Sequence, residues 1–249
     1  MTPVILLHAF PLDSRMWQHQ VNVLSGKFTV IAPDLRGFGT AYAELGALQE
    51  IPIDLAADDV VKLLDEKGFA KACIGGISRG GYIAMSLARR YPDRLAGLML
   101  CDTRATPADE KERQARQQML DRLNAEGIEV VMKMMKHHLF GPTALTLRPQ
   151  FVQHVSEIIL SQKVDAVAAA ARGMESRPDA RPALRDVKVP TLCIAGTEDS
   201  AFDSTRTIAQ MIPGARFVEV PNACHLSNME RPDVFTVAVE KFLMGHGFR

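Results

Sequence analysis

The sequence lacks net charge: 29 lysines and arginines are matched by 29 aspartates and glutamates over 249 residues. With no overall field, neither nucleic acid nor an acidic membrane surface is drawn to the chain, and a small molecule is the expected partner. Cysteine is scarce too. The four present, Cys73, Cys101, Cys193 and Cys224, show no C-x-x-C spacing, and the first three lie in apolar runs. They read as buried free thiols rather than disulfides or metal ligands, and neither a metal nor any other cofactor is expected. No apolar run approaches the ~20 residues that span a bilayer. The start of the chain, Met1 to His8, also lacks the basic and long apolar regions of a secretory signal, so a soluble cytoplasmic protein is expected. Repeats and low-complexity stretches are absent. What remains is a length that fits one large α/β domain, or a core with a small insertion.

The most informative stretch runs from Ala72 to Ala88. A short apolar run, Ala72 to Ile74, leads into Gly76-Ile77-Ser78-Arg79-Gly80, and Ile83, Ala84, Leu87, Ala88 and Tyr91 then follow at helical spacing. Glycines two before and two after a serine allow a turn from strand to helix so sharp that the hydroxyl projects from its tip. G-x-S-x-G alone is a weak signal. Placed between a strand and a helix it predicts a nucleophile elbow with Ser78 at its apex.

The rest of the chain supports a parallel sheet. Val4 to His8 and Phe28 to Ala32 read as strands, and the turn His8-Ala9-Phe10-Pro11 after the first sits where an oxyanion loop would lie. Pro11 has no N–H to offer, which leaves Phe10 as the expected backbone donor. Asp34 and Arg36 could pair across the loop Pro33 to Gly39. A helix is predicted over Asp54 to Glu66, capped by its aspartate, and a strand over Leu95 to Leu100. From residue 104 to 188 the pattern turns purely helical, opening with an apparent capping box at Thr106 to Asp109. Helices are expected to about Glu126, then over Ile128 to Leu139, Pro149 to Leu160 and Val164 to Met174. Alternation resumes with strand Thr191 to Ala195, helix Ser204 to Ile212, strand Arg216 to Val220 and helix Pro232 to Leu243. The domain reading is a core of residues 1–103 and 189–249 with a helical lid at 104–188 over the carboxyl edge of the sheet, where open α/β sheets bind ligands.

Every polar candidate then falls on a loop after a strand: Ser78, Asp199 and His225, with Asp102 as a rival acid. A serine hydroxyl needs a base to take its proton and an acid to hold that base. The order Ser78, Asp199, His225 is that of the α/β-hydrolase fold. The chain resembles this superfamily along nearly its whole length, through Leu7 to Trp17, Asp34 to Gly39, Gly76 to Gly81, Gly196 to Asp199 and His225 to Pro232. Within it the chain is similar to small lid-bearing carboxylesterases and to 3-oxoadipate enol-lactonases, which Leu100 to Thr103 echo. The resemblance implies a mostly parallel sheet, here without the family's first two strands, and hydrolysis of a small ester or lactone through an acyl-enzyme on Ser78. It also implies Asp199 as the usual acid and Asp102 as the position some members use, with the N–H groups of Phe10 and Arg79 holding the oxyanion.

Three departures stand out: His8-Ala9 replaces the usual His-Gly, the chain opens on the third family strand, and Arg79 takes a place where small or apolar residues are commoner. The Arg79 guanidinium either reaches into the pocket, favouring an anionic substrate, or points away along its helix. The lid's apolar residues Met132, Met135, Leu139, Phe140 and Val155 are expected to line the pocket, while His137 and His138 read as solvated or packing residues. Other readings are a lyase of the hydroxynitrile type, which would need a lid lysine such as Lys133 or Lys136, and a small-molecule receptor with slow hydrolysis.

Overall fold

The apolar runs become six strands, β1 (Val4–Leu7), β2 (Val30–Ile31), β3 (Ala72–Ile77), β4 (Leu95–Cys101), β5 (Thr191–Gly196) and β6 (Arg216–Val220), in a computed structural model that describes residues 2–248. They stand in the order β2-β1-β3-β4-β5-β6, and every pairing among the described residues is parallel. β1, β3 and β5 are buried along their whole length. Burial on both faces is why these strands are continuous apolar runs instead of alternating ones, and each buried Val, Leu or Ile contributes about 1.5–3 kcal/mol. The expected strand over Phe28 to Ala32 shrinks to two residues at the sheet's edge, half-buried, with one neighbour to pair with.

Helices cover the sheet: α1 (Gln18–Leu24), α2 (Ile53–Glu66) and α3 (Arg79–Arg90) before β4, then α4 (Glu110–Glu126), α5 (Glu129–Leu139), α6 (Pro142–Leu147), α7 (Pro149–Leu160), α8 (Val164–Glu175) and α9 (Arg181–Leu184) between β4 and β5. The chain closes with α10 (Phe202–Met211), α11 (Ser227–Glu230) and α12 (Pro232–Gly245). The short α6 and α11 carry too few residues for a periodic pattern to reveal them. Two expected caps fall elsewhere. Pro52 caps α2, and Asp54 sits in its first turn, where it accepts from Ser86 Oγ at 2.6 Å and Arg89 Nη2 at 2.6 Å, tying α2 to α3. The capping box of α4 is Asp109 with Glu112: the Asp109 carboxylate accepts the Glu112 N–H at 2.7 Å, so the helix begins three residues later than Thr106-Pro107 suggests.

Asp34 and Arg36 do not pair with each other. Asp34 takes the N–H groups of Ser14 and Thr40 at 2.8 and 2.7 Å, whereas Arg36 reaches Asp59 on α2, so both brace loops. Between β4 and β5, α4 packs on α5 and α8, and α6 is fastened to the core where Glu198 accepts the Thr143 N–H at 3.1 Å.

The topology places the chemistry. β1 leads outward to β2 on one side and β3 leads to β4 on the other, so the connections of these two neighbours diverge and leave a crevice at their carboxyl ends. The loop beginning at His8 and the turn at Ser78 meet there.

Candidate active site

Ser78 is the N-cap of α3 and holds φ 54° and ψ −113°, a left-handed strain that its neighbours enforce. Its N–H donates to Cys101 O at 3.0 Å, and its carbonyl accepts from Thr103 Oγ1 at 2.9 Å and from the Tyr82 N–H at 3.1 Å. The flanking glycines are required by close approach. A Cβ on Gly76 would lie 2.2 Å from the Gly80 carbonyl carbon, and one on Gly80 would lie 2.2 Å from Leu7 O. Strand, turn and helix therefore touch backbone to backbone, and the serine side chain is what remains to project.

Asp199 and His225 follow β5 and β6. His225 Nδ1 lies 3.1 and 3.0 Å from the two oxygens of Asp199, and both residues are buried. Burial raises the Asp199 carboxyl, but the charge and hydrogen bond of His225 and the Ala201 N–H outweigh it and hold the group below its ordinary range. With Nδ1–H given to the carboxylate, Nε2 is left as the ring's basic nitrogen, and it has no hydrogen-bond partner in the fold. Ser78 and His225 line one cavity of about 470 Å³.

Asp102 is differently employed. Its carboxylate accepts the Gly196 N–H at 2.8 Å and the Ser227 hydroxyl, and nothing from His225. Complete burial, and next the charge of Asp199, push its carboxyl well above the usual range. The rival acid instead braces β5 and α11 against the end of β4.

Turn and loop hydrogen bonds leave the N–H groups of Phe10 and Arg79 unused, and Phe10 lines the cavity beside Ser78. As the first residue of α3, Arg79 also offers the positive end of the helix dipole. Its side chain turns away from the cavity, fully buried, with the guanidinium carbon 5.2 Å from the Phe38 ring centroid.

Of the five pocket residues expected from the sequence, only Met135 lines the cavity. Leu139, Phe140 and Val155 are buried in the apolar core, Phe140 edge-on to Phe151 at 5.5 Å, and Met132 packs against the outside of that core. The reason is rotation: one step along a helix turns a side chain by about 100°, so the face of α5 that carries Met134, Met135 and His138 toward the cavity carries Leu139 away from it. Met119, Met174, Tyr82, Arg104 and Arg116 complete much of the wall. The (i, i+4) pair Met134 and His138 was the available signal. The His138 ring lies 4.2 Å from that of His225, centroid to centroid, and the charge of His225 and then burial push His138 down to about 3. Lys133 and Lys136 are exposed and outside the cavity.

The four cysteines are free and buried, and burial pushes Cys193 and Cys224 up to about 12. Among the described residues no group of three or more His, Cys, Asp or Glu is placed to hold a metal ion, and no helix is long and apolar enough to cross a membrane.

Comparison with known proteins agrees with this architecture. Residues 2–232 match the family described as alpha/beta hydrolase fold. The chain is 28% identical to 3-oxoadipate enol-lactonase 2 of Acinetobacter baylyi over 240 residues, 95% of this chain and 86% of the relative. Among solved structures, a thermophilic esterase from Thermogutta terrifontis with malate bound superposes with a TM-score of 0.93 at 37% identity, covering 99% of this chain and 90% of that one. The enol-lactonase from Burkholderia xenovorans gives 0.88 at 30% identity, covering 98% and 92%.

Proposed function

Because the chain belongs to the alpha/beta hydrolase fold family, we propose that it is a serine hydrolase that cleaves a small carboxylic ester or lactone through an acyl-enzyme on Ser78. Membership of the carboxylic ester hydrolases follows from its esterase and enol-lactonase relatives. The observation that carries the finer reading is the His225 ring, held by both oxygens of a buried Asp199 while its Nε2 stays unpartnered in the cavity region that Ser78 lines.

The reaction follows from that geometry. His225 Nε2 takes the Ser78 proton as Oγ attacks the carbonyl carbon, and Asp199 stabilises the imidazolium that forms. The oxyanion is met by the N–H groups of Phe10 and Arg79, with the α3 dipole behind the second. The proton then passes to the leaving alkoxide. The departing alcohol, or the opened end of a lactone, leaves an ester on Ser78, which water hydrolyses with His225 as base. The helices between β4 and β5 act as the lid that walls the cavity.

Labelling by a fluorophosphonate probe, together with turnover of 4-nitrophenyl acetate, tests the reading. Both should occur and both should vanish in Ser78→Ala; a labelled wild type that turns over neither aryl esters nor lactones would indicate a receptor.

A further inference from the structure

One inserted helix touches the proposed base directly. His138 stands in the last turn of α5 and lines the cavity, and its ring lies 4.2 Å from that of His225, centroid to centroid, with the two planes tilted by 44°. The contact is held from both partners. Leu139 and Phe140, the next two residues, are buried in the core and pin the end of α5. On the facing loop, Cys224 Sγ lies 3.6 Å from the His138 carbonyl oxygen and 3.4 Å from that of Glu198. Glu198 in turn accepts the Thr143 N–H at 3.1 Å. The residues immediately before Asp199 and before His225 are therefore the ones that grip this part of the inserted segment, and His138 is fixed against His225 through them.

In the serine mechanism the base begins as a neutral imidazole and becomes an imidazolium only while it holds the serine proton. A group that favours the cation over the neutral ring lowers the barrier, instead of merely tightening the ground state. An aromatic face within about 6 Å of a cation is such a group. We propose that His138 is a positioning residue of the hydrolase, whose ring face keeps His225 against Asp199 and stabilises the imidazolium in both acylation and deacylation. This deepens the hydrolase reading and rests on it. His138 has to stay neutral for the purpose, because a second imidazolium at this distance would repel the first. The charge of His225 above all pushes it down to about 3, with Arg104 and Arg116 acting in the same direction and Asp199 against it. The same low basicity disqualifies His138 as the base itself, since a ring that is protonated only near pH 3 takes a serine proton poorly.

The test compares wild type with His138→Phe, which keeps an aromatic face, and with His138→Leu, which keeps apolar bulk without one. For each, kcat and KM are measured on 4-nitrophenyl acetate, butyrate and hexanoate, together with the rate constant for labelling by a fluorophosphonate probe. Because acylation and deacylation both pass through the imidazolium, His138→Leu should lower kcat by about 3- to 30-fold with KM little changed, and labelling should slow by a similar factor. The loss should be equal across the three esters, and His138→Phe should restore most of it. His138 is exposed, so both variants should fold, and the fraction labelled at completion counts the competent sites. His137→Leu, an exposed neighbour outside the cavity, should change neither rate. Wild-type kcat in His138→Leu, a His138→Phe enzyme as slow as His138→Leu, or a loss that grows with acyl length, which marks a plain pocket wall, overturns the proposal while leaving the hydrolase reading in place. If the wild type neither cleaves esters nor takes the probe, the hydrolase reading fails and the proposal falls with it.

Discussion

The guanidinium of Arg79 stacks on Phe38 at 5.2 Å and offers none of its three nitrogens to a hydrogen-bond partner, although the side chain is fully buried. Desolvation pulls it down to about 10, so folding works against this charge at neutral pH. The cation–π contact offsets part of that cost, by about 2 kcal/mol when desolvated. Arg79→Met keeps the length and the apolar contact with Phe38 while removing the charge. It should therefore raise stability by about 1–3 kcal/mol at pH 7. Because the side chain is outside the cavity, it should not alter discrimination between acidic and neutral esters. A lower urea midpoint in the variant would show that the guanidinium has a partner.

Contrasting two buried aspartates tests which of them serves as the proposed acid. Asp199→Asn should cost about 10⁴-fold in kcat, since a carboxamide cannot stabilise the imidazolium or hold the required tautomer. Asp102→Asn should be nearly silent. Its side chain meets the Gly196 N–H and the Ser227 hydroxyl and nothing of His225, and an amide can accept the first with its oxygen and donate to the Ser227 oxygen with its NH₂. Ser78→Ala should abolish turnover, by 10⁴-fold or more, without unfolding the protein, because the strain at φ 54° belongs to the backbone and Ala bears it little worse than Ser. The reverse ranking of the two aspartates would move the acid to Asp102.

Glycines on the elbow should behave unlike glycines elsewhere. Gly76→Ala and Gly80→Ala would press a methyl to 2.2 Å from backbone atoms that cannot move without breaking the turn, and each should cost about 3 kcal/mol or more. Gly26, with open space around its Cβ position, should accept Ala with a gain of up to about 1 kcal/mol. Thermal melts of the three variants measure this directly, and a tolerated Gly80→Ala would mean that β1 and α3 do not meet so closely.

Acid sensitivity should trace in part to His8. Its Nδ1–H is shared with Ala9 O at 3.0 Å and its Nε2 accepts the Leu35 N–H at 2.9 Å, so the fold wants a neutral ring, and burial pushes it from 6.5 down to about 4. The unfolded chain then binds the extra proton more readily. Stability is whole above about pH 6.5 and falls as pH drops toward 4, by about 2 kcal/mol at pH 5 from this residue. His8→Asn should start less stable at pH 7 yet lose about 2 kcal/mol less than wild type between pH 7 and 5. Urea titrations at the two pH values compare the slopes, and equal slopes would acquit His8.

What the sequence disclosed was whatever depends on local pattern. The elbow at Ser78, the loops after each strand and the all-helical stretch from 104 onward are legible because glycine spacing, apolar runs and helical periodicity are properties of neighbouring residues. Orientation across elements was not. Whether Arg79 enters the pocket depends on Phe38, forty-one positions earlier in the chain, and its true seat is under that ring. On α5 the wall takes Met134 and His138 beside Met135, whereas Leu139, one step past His138, and Phe140, beyond the end of the helix, are buried in the core. His138 reads as a solvated or packing residue and is exposed, but nothing in its own helix points to the His225 ring beside it, 87 positions later in the chain.

The cavity sets the last expectation, which concerns chain length. Its apolar wall is made chiefly of Met119, Met134, Met135 and Met174, from three inserted helices, and its volume is about 470 Å³. Such a space suits a small ligand, and methionine can adapt its shape but not create room for a long chain. Across 4-nitrophenyl esters from acetate upward, each methylene that finds the methionine wall should gain up to about 0.8 kcal/mol, roughly fourfold in kcat/KM. The rise should stop within the short to medium range, and long-chain triglycerides should be refused. Met135→Ala should shift the break to a longer acyl chain, because it opens the wall where α5 faces the cavity. A break that stays put would mean that another residue forms the end of the pocket. Activity that climbs without interruption through long-chain esters would mean that the inserted helices do not close the site at all.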